Sequence, residues 1–435
     1  MSAEVLEVES LDLEARGIAR RDGKVIFIEG ALPFESVSVN TVRKKPSYEI
    51  AKVMHIHRES SSRVTPKCVH FGMCGGCVMQ HLDASAQVAI KQRALEDCLS
   101  HIGAVKPERV LPPLYGPAWG YRYRARLAVK WVAKKGTVLV GFHERKSSFV
   151  ADIKSCQVLP AHVSALLMPL RGLVQNLSAP DRIPQIEVAV GDRVTALVLR
   201  HMNPLTDGDL VLLRQFAEQH QVQWWLQSKG PDTVHAMVPE HEQELAYTLP
   251  EFGLRMPYRP TDFTQVNHHI NRALVARALK LLEVQPGDRV ADMFCGLGNF
   301  TLPLATQARE VVGVEGSSAL TERAQTAAQQ ANITNAKFDT LNLFEVDQTW
   351  LEGLGHFDRM LIDPPREGAQ ALCESLAALS PSARPKRIVY VSCSPSTLAR
   401  DTAILVTNGG YKLKAAGVVN MFPHTGHVES IAFFE

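Results

Sequence analysis

The strongest constraint on the fold lies in the last third of the chain, where short apolar runs alternate with stretches of helical periodicity from Arg289 onward. The predicted strands are Val290–Phe294, Val311–Glu315, Ala336–Leu341, Arg359–Asp363 and Ile388–Cys393, and the predicted helices include Ala319–Ala331 and Gln370–Leu379. This alternation predicts a parallel, doubly wound sheet of the α/β class. Such sheets bind ligands at the carboxyl ends of their strands, so the residues there are the first candidates for a site.

The first predicted strand runs into a glycine-containing loop, Asp292-Met-Phe-Cys-Gly296-Leu-Gly298-Asn299. The second strand ends at Glu315, where a carboxylate could hold the two hydroxyls of a ribose. The loop lacks the third glycine of the dinucleotide-binding fingerprint, which argues against NAD as the ligand. An NAD-binding or purely structural βαβ unit remains the alternative. An acid before the glycines favours S-adenosylmethionine (SAM), because its sulfonium and amino groups are positively charged.

A cysteine and a glutamate near the C-terminus suggest covalent chemistry. Cys393 follows the apolar run 387–392 and precedes Pro395, which can open a helix. Glu429 lies 36 residues further on. A thiolate can add to C6 of a pyrimidine, and a carboxylate can then remove the proton from C5. The competing interpretation is that Cys393 is a small buried hydrophobe.

The fourth predicted strand ends in Asp363-Pro364-Pro365-Arg366. Asp-Pro-Pro is most often a rigid turn, but Asp363 could also orient the amide-like edge of a base. Enzymes that methylate exocyclic amines carry a similar tetrad that ends in an aromatic residue. Because Arg366 removes that stacking platform, methylation at carbon is the better fit.

Five segments, in order and at matching spacing, together resemble the RNA (uracil-C5)-methyltransferase family. They are Asp262-Phe-Thr-Gln-Val-Asn267, Phe294-Cys-Gly-Leu-Gly-Asn299, Asp363-Pro-Pro-Arg366, Ser392-Cys-Ser-Pro395 and Phe422-Pro-His-Thr-Gly-His-Val-Glu429. The resemblance implies Cys393 as nucleophile and Glu429 as base. It also implies SAM contacts at Gln265, Phe294, Asn299, Glu315, Asn342 and Asp363.

Four cysteines in the first part of the chain suggest a metal site. Cys68, Cys74 and Cys77 are closely spaced, and Cys156 follows after 78 intervening residues. Zinc is the chief alternative, but only one Cys-x2-Cys pair is present, and the spacing is closer to that of iron–sulfur proteins. The pattern resembles the 4Fe–4S ligands of the family members that act on ribosomal RNA. The other thiols, Cys98, Cys295 and Cys373, are expected to be buried.

The first 60 residues contain short β-prone runs broken by glycine and proline, which predicts a small barrel. The pattern resembles a TRAM domain, an OB-like module that binds RNA with little sequence readout. The family's usual Pro-Gly-Glu is replaced here by Pro33-Phe34-Glu35, so the turn before the third predicted strand lacks its usual glycine. A purely structural barrel is the alternative.

The middle of the chain is basic. Residues 101–150 contain ten Lys and Arg against two Glu, a net charge of +8, whereas residues 289–435 contain twelve basic and fifteen acidic residues, a net charge of −3. Within the basic stretch, Trp119-Gly-Tyr-Arg-Tyr-Arg-Ala-Arg126 interleaves aromatic and guanidinium groups, which favours RNA contact. A strand with one aromatic and one basic face would give the same pattern. A hairpin is predicted over Arg182–Arg200, and Trp224-Trp225 is predicted to be core.

These observations predict three domains: an OB-like TRAM barrel (1–60), a central α+β iron–sulfur domain with a basic RNA-facing segment (61–258), and a Rossmann-like class I SAM methyltransferase domain (259–435). The resemblance to family members that combine a TRAM domain, a cysteine-bound cluster and a methyltransferase domain implies C5 methylation of one uridine in 23S ribosomal RNA, with SAM and a 4Fe–4S cluster. The expected location is the cytoplasm, with no membrane or obligate protein partner. A different RNA target (transfer RNA or another ribosomal uridine), a cytosine-C5 enzyme and a non-catalytic RNA-binding protein are the alternatives.

Overall fold

The computed structural model describes residues 4–435, apart from the side chain of Gln243. An N-terminal sheet of six strands has the order β1-β5-β6-β4-β3-β2. Its strands are β1 (Val5–Glu7), β2 (Ser10–Leu11), β3 (Arg16–Arg21), β4 (Lys24–Glu29), β5 (Ser36–Lys44) and β6 (Tyr48–Arg58). Alternate residues of β3 and β4 point into a small apolar core of their own, as the predicted barrel requires.

The turn before β5 is retained despite the missing glycine. Phe34 takes the left-handed conformation, with φ of 69°, which a glycine would adopt without strain. The next residue, Glu35, is fully buried and accepts hydrogen bonds from the backbone of Leu32 and Ser60 and from the Arg63 guanidinium. These contacts fix the turn and so offset the conformational cost at Phe34.

A central mixed sheet, in the order β13-β12-β11-β10-β8-β9, follows helix α1 (Ala84–His101). Its strands are β8 (Arg124–Val132), β9 (Thr137–Gly141), β10 (Gln185–Val190), β11 (Thr195–Arg200), β12 (Gln223–Gln227) and β13 (His235–Ala236), after the short β7 (Arg109–Val110). The helices here are α2 (Ala161–Ala165), α3 (Leu167–Asn176) and α4 (Asp207–His220). The predicted hairpin is β10–β11, and both tryptophans of β12 are at most 1% exposed, as expected.

A small hairpin, β14 (Ala246–Leu249) and β15 (Leu254–Pro257), leads into helix α5 (His268–Leu282) and the C-terminal sheet. Short 3-10 helices lie at Ala133–Lys135, Pro180–Arg182, Pro231–Thr233, Pro239–Gln243 and Pro250–Phe252. The C-terminal sheet has eight strands in the order β18-β17-β16-β19-β20-β22-β21-β7.

The C-terminal strands are β16 (Arg289–Met293), β17 (Glu310–Glu315), β18 (Ala336–Thr340), β19 (Arg359–Ile362), β20 (Arg387–Ser392), β21 (Leu413–Val419) and β22 (Glu429–Phe434). The helices between them are α6 (Thr301–Ala305), α7 (Ser318–Gln330), α8 (Gln348–Gly353), α9 (Gln370–Ala378) and α10 (Pro395–Thr407). Strands β16 to β20 are parallel, and each coincides with a predicted strand to within about a residue at either end. The doubly wound sheet is therefore confirmed, and apolar clusters cover both of its faces.

The loop between β2 and β3 touches the loop between β21 and β22 at one very close point. A Cβ at Gly426 would lie 1.8 Å from the carbonyl oxygen of Leu13, so only glycine fits. The backbone of Glu14 accepts a hydrogen bond from Arg145, and Lys146 pairs with Glu29. Helix α1 packs against α10 and β21, so the first hundred residues are joined to the C-terminal sheet. Across residues 4–435, no helix combines the length and apolarity that crossing a bilayer requires.

Candidate active site

Cys393 and Glu429 are brought to the same end of the sheet by antiparallel strand pairing. Strand β22 lies between β20 and β21, with Ser430 opposite Ser392. The Ser430 hydroxyl also donates to the backbone oxygen of Ser392 at 3.2 Å. Cys393 is the residue after that pair on one strand, and Glu429 is the residue before it on the other. The 35 residues between them therefore leave this end of the sheet and return to it. The two side chains line one cavity.

The turn that carries Cys393 is fixed by its neighbours. Strand β20 ends at Ser392, and α10 begins at Pro395, as the sequence predicts. The Ser392 hydroxyl accepts from the backbone N–H of Ser394 at 3.1 Å and donates to its backbone oxygen at 3.0 Å. A nucleophile held this way, half-buried at a strand end, keeps a constant direction of attack.

The environment of this pair disfavours negative charge in the ligand-free protein. Burial, and then the nearby Glu429 and Asp363, raise the pKa of the Cys393 thiol to about 11. Burial, and then Asp363, raise the pKa of Glu429 to about 8. Arg366 at the cavity wall acts in the opposite direction on both groups. The Arg366 guanidinium also lies 3.2 Å from Nδ1 of His427.

The loop after β16 forms the other wall of the cavity. Phe294 and Gly298 both have positive φ angles, 65° and 82°, which turn the chain sharply into α6. The Glu315 carboxylate accepts from the backbone N–H of Gly296 at 3.2 Å and from that of Ser317 at 3.0 Å. These two contacts fix the carboxylate at the end of β17, beside the loop, where a ribose would be expected.

Asn299 is held by two residues that the sequence analysis did not single out. Its amide exchanges hydrogen bonds with the amide of Asn271 on α5, at 2.8 Å and 3.0 Å. The hydroxyl of Tyr247 on β14 donates to the same Asn299 oxygen at 2.8 Å. No local motif marks Asn271 or Tyr247, because each meets Asn299 only through the tertiary fold.

Two further acids lie at the cavity: Asp292 is buried behind it, and Asp363 lines it. Asp292 is fully buried and accepts from the Thr301 hydroxyl at 2.5 Å, while its other oxygen has no partner among the described residues. Burial, and then Glu315, raise its pKa to about 7. Burial, and then Asp292, raise the pKa of Asp363 to about 8. A cationic ligand would favour the ionised form of both groups.

All eight predicted catalytic and SAM-contacting residues line this single cavity of about 510 Å³. They are Gln265, Phe294, Asn299, Glu315, Asn342, Asp363, Cys393 and Glu429. The side chain of Phe344, which the sequence analysis passed over, lies against Phe294 with ring centroids 5.6 Å apart and also lines the cavity. The cavity has the size and the mixed lining of a small-molecule site.

The loop that carries Phe263 and Gln265 is anchored from the central sheet. Arg124 on β8 donates to the backbone oxygens of Pro260 and Asp262 and to the Thr264 hydroxyl. The Asp262 carboxylate in turn holds Arg323 of α7 at 2.6 Å. Within the predicted RNA-facing segment, Arg124 is therefore committed to internal contacts, whereas the Arg126 side chain is 70% exposed.

The four predicted metal ligands line a second cavity, of about 570 Å³. Cys68, Cys74, Cys77 and Cys156 are each half-buried. The backbone N–H of Gly76 points at Sγ of Cys74 at a distance of 3.5 Å. Burial, opposed by a hydrogen bond with Gln80 and reinforced by the other sulfurs, raises the pKa of Cys77 to about 12. Among the described residues, no three His, Cys, Asp or Glu side chains are arranged to hold a single metal ion.

The remaining cysteines are less uniform than expected. Cys295 and Cys373 are buried, and Cys295 lies in the cavity wall beside the cofactor loop. Cys98 on α1 is only half-buried, so the expectation of a buried thiol is wrong at this position. It packs at the edge of an apolar cluster, where α1 meets the C-terminal sheet, so part of its surface faces solvent.

The fold and this cavity define a Rossmann-like SAM-dependent methyltransferase. The chain superposes along 99% of its length on a tRNA (uracil-54, C5)-methyltransferase from Pyrococcus abyssi, solved in complex with S-adenosyl-L-homocysteine. The TM-score is 0.75 and the match covers 100% of that chain. The sequences are 22% identical, so this likeness establishes the fold.

Sequence comparison identifies the family. Residues 237–435 match the tRNA (Uracil-5-)-methyltransferase family. The chain is 72% identical over 433 residues to 23S rRNA (uracil(1939)-C(5))-methyltransferase RlmD of Bordetella pertussis, which covers 99% of this chain and 93% of that protein. Identity to the proteins of the same name is 63% in Cupriavidus pinatubonensis (99% and 95% covered) and 61% in Burkholderia pseudomallei (100% and 95% covered). The chain belongs to the RlmD family of RNA (uracil-C5)-methyltransferases.

Proposed function

We propose that this protein transfers the methyl group of SAM to C5 of uridine 1939 in 23S ribosomal RNA. The observation that carries the proposal is the juxtaposition of Cys393 and Glu429 at one cavity whose opposite wall carries Glu315 and Asn299. The relatives that share 61–72% identity with the whole chain bear that activity in their names.

The geometry supports a covalent mechanism. The target uridine must leave its stack so that its ring can enter the cavity. The Cys393 thiolate forms a bond to C6, and the electron pair of the C5–C6 double bond moves into the ring to give an enolate. SAM would supply the methyl group: C5 takes it with the electron pair that the enolate returns, and the sulfur–methyl bond breaks with its electrons left on sulfur, so S-adenosylhomocysteine leaves. Glu429 then removes the proton from C5, the double bond reforms, and the Cys393 thiolate is expelled.

The acidic lining has a role in this scheme. Without ligand, the raised pKa values of Cys393, Asp363 and Glu429 favour their protonated forms. A positive charge bound beside them lowers those pKa values, because the ionised forms then gain a favourable interaction. We propose that Cys393 becomes nucleophilic, and Glu429 basic, mainly when a sulfonium is bound.

We propose SAM contacts at the six predicted positions. The Glu315 carboxylate is oriented by two backbone N–H groups and is suited to the ribose hydroxyls. Asn299 uses one amide hydrogen on Asn271 and keeps a second for an acceptor on the ligand. Gln265, Phe294, Asn342 and Asp363 complete the lining, and Asp363 also borders the nucleophile.

We propose that the four cysteines hold a 4Fe–4S cluster rather than zinc. Zinc would draw four sulfurs to about 2.3 Å from one point, an arrangement that the described residues do not have. A cluster carries its irons at separate corners, so its thiolate ligands stand further apart around a larger volume. Four thiols around a cavity of about 570 Å³ fit that requirement. Bound iron would also keep these half-buried thiols ionised.

We propose the domain limits 1–60, 61–258 and 259–435, with the N-terminal sheet as the TRAM-type RNA-binding unit. Its separate apolar core and its strand order support an independent barrel. The strand β6 and the end of β5 carry exposed Arg43, Lys44, Lys52 and Arg58, which could neutralise phosphates. Exposed Arg126 of the central sheet lies on the same chain segment that the sequence analysis assigned to RNA.

The covalent scheme is tested by separating its steps. Glu429→Gln, incubated with ribosomal RNA and methyl-labelled SAM, is expected to accumulate a denaturant-resistant protein–RNA adduct that carries label, because C5 keeps its proton. Cys393→Ala is expected to bind SAM and RNA without forming any adduct. Normal turnover by Glu429→Gln would disprove its role as base, and an adduct with Cys393→Ala would place the nucleophile elsewhere.

The target is tested in cells. Deletion of the gene is expected to remove 5-methyluridine from position 1939 of 23S ribosomal RNA, and the wild-type gene, but not Cys393→Ala, should restore it. Loss of a methyluridine in transfer RNA instead, with position 1939 still modified, would show that the substrate is the alternative one.

A further inference from the structure

The loop between β21 and β22, residues 420–428, separates the two cavities and is called the strap below. Its Phe422 and His427 line the catalytic cavity together with Glu429. Its Thr425, Gly426 and His427 also line the cysteine cavity. Glu429 is the first residue of β22, and the strap supplies the residues directly before it, so a shift of the strap would move the chain on one side of that carboxylate.

Gln87, near the start of α1, uses both its side-chain oxygen and its side-chain nitrogen in contacts with the strap. It is 1% exposed. Its Oε1 accepts from the backbone N–H of His424 at 2.8 Å, and its Nε2 lies 3.2 Å from His424 Nδ1. The same Nε2 is within 3.0 Å of the backbone oxygens of Met79 and Leu82. One buried amide thus joins the strap to the segment that follows Cys77.

Lys91 lies one helical turn further along the same face of α1. It is 1% exposed, and its Nζ donates to Asn420 Oδ1 at 3.2 Å and to the backbone oxygen of Phe422 at 2.8 Å. No salt bridge joins it to a carboxylate anywhere in residues 4–435. Burying an ammonium group without a counter-ion is costly, so packing alone is a poor explanation for a lysine here.

The backbone of the strap is strained at His424, the residue to which Gln87 is hydrogen-bonded. His424 has a φ angle of 66°, a left-handed conformation that side-chain-bearing residues rarely adopt. Its backbone oxygen accepts from the N–H groups of Val78 and Met79 at 2.9 Å and 3.0 Å. Its ring stacks on Trp119 at 3.9 Å. Strain of this kind persists only where the surroundings fix it, and it is concentrated at functional sites.

We infer that Gln87 and Lys91 are positioning residues for the proton-removal step: they hold the strap so that Glu429 is aimed at C5 of the methylated base. The inference rests on the proposed function of Glu429. Neither residue contacts the catalytic cavity, so each acts through the strap. The SAM wall of the cavity, built from the loops after β16 and β17, contains no residue that either of them touches.

This arrangement predicts a selective defect. If the strap shifts, methyl transfer can still occur, because Cys393 and the SAM wall stay in place. Proton removal then slows, because a displaced carboxylate meets the C5 proton less often, and a misplacement of about 1 Å can cost on the order of a hundredfold in rate. The methylated adduct should therefore accumulate, as it should in Glu429→Gln.

The test uses full-length Lys91→Met and Gln87→Met, which keep most of the buried volume. Each is compared with Arg93→Met, whose side chain is 71% exposed on the same helix. We expect Lys91→Met and Gln87→Met to bind SAM with wild-type affinity by calorimetry. In single-turnover reactions with labelled SAM and RNA, they should show a methylated, denaturant-resistant adduct that decays roughly tenfold to a hundredfold more slowly than in wild type. Arg93→Met should behave as wild type.

The outcomes distinguish the proposed role of Glu429 from the positioning role of Gln87 and Lys91. If Glu429→Gln itself gives no methylated adduct, the proposed function fails. If Glu429→Gln gives the adduct but both α1 variants release it at the wild-type rate, the positioning inference is overturned. It is also overturned if both variants lose SAM binding together with turnover, because Gln87 and Lys91 would then support the whole domain rather than one step.

Discussion

Asn271 and Asn299 exchange two amide hydrogen bonds, so the orientation of the Asn299 side chain is set from α5 rather than by its own loop. The Tyr247 hydroxyl adds a third contact to the same oxygen. The arrangement uses one of the two Asn299 amide hydrogens, and Asn299 lines the cavity. A residue proposed to contact SAM is therefore oriented before the ligand arrives, which lowers the cost of binding.

The first prediction concerns this pair. Asn271→Leu should weaken SAM binding roughly threefold to tenfold, since the Asn299 amide loses the hydrogen bonds that fix it and each is worth about 0.5–1.5 kcal/mol. Tyr247→Phe, which removes one contact only, should have a smaller effect. Isothermal titration calorimetry measures both. Unchanged affinity in Asn271→Leu would show that Asn299 does not contact the ligand or needs no orientation.

Glu315 gives a second prediction. Glu315→Ala should lower SAM affinity by about tenfold or more, because a hydrogen bond to a charged group contributes about 1.5–3 kcal/mol. Glu315→Gln is the matched control: it keeps the shape and one acceptor and should lose less. Equal affinities for wild type and Glu315→Ala would remove this residue from the site.

A third prediction follows from the buried acids. The folded-state pKa values of Asp292, Asp363 and Glu429 are raised to about 7, 8 and 8, above their ordinary values near 4. The folded protein therefore binds more protons than the unfolded chain between about pH 4 and pH 8, so this contribution to stability is lost as the pH rises through that range. The thermal unfolding midpoint of the ligand-free protein should therefore fall as the pH is raised from about 4 to about 8.

The control for this effect is the Asp363→Asn/Glu429→Gln double variant. Its thermal unfolding midpoint should fall less over the same pH range, because two of the three acids can no longer ionise. SAM should also reduce the fall in the wild-type protein, because its positive charge favours the ionised acids. Thermal unfolding at several pH values, with and without SAM, measures this. A double variant that shows the full wild-type pH dependence would exclude these two acids as its source.

Arg124 provides a fourth prediction. Arg124→Met should weaken SAM binding roughly tenfold, because the loop that carries Gln265 loses its donors to Pro260, Asp262 and Thr264. Arg126→Met, two residues away on the same strand and largely exposed, should keep SAM affinity and lose affinity for RNA. The reverse pattern would mean that Arg124 reaches RNA and that the loop does not depend on it.

A fifth prediction concerns the cysteine cavity. Protein purified without oxygen should be brown and should contain iron and acid-labile sulfide, with absorbance that bleaches in air. Cys156→Ser should lose the cluster and much of its solubility. Cys98→Ser, a half-buried thiol outside the cavity, should keep both. Stoichiometric zinc without sulfide in anaerobic protein would show that the site is a zinc site.

The sequence predicted the parallel strands well because four of the five, β18 excepted, are short apolar runs, and each strand leads into residues of the site. Strands β16 to β20 needed no long-range information. The position of β22 between β20 and β21 was not predicted, although it is what places Glu429 beside Cys393. A local sequence pattern does not show that β22 lies between β20 and β21, because the apolar runs of β21 and β22 could pair with several different strands.

Side chains with distant partners were the main omission. Lys91 looks like one more charge on an amphipathic helix, but its partners are 329 and 331 residues away. Arg124 was assigned to RNA from local alternation with aromatic residues, and only the fold shows that its guanidinium faces inward. In both cases the charged group donates to backbone oxygens and to one neutral side chain, and neither kind of acceptor leaves a sequence signature.

The bonds from Val78 and Met79 to His424 have a consequence for biosynthesis. The two sides of this contact are 346 and 345 residues apart in the chain. At about 5–20 residues per second, a ribosome needs roughly 17 to 70 seconds to pass from one to the other. During that interval Cys68, Cys74 and Cys77 lack the wall that the strap later provides. Newly made chains therefore expose these thiols to solvent and oxidants, and any iron delivered to them during translation arrives before the catalytic cavity exists.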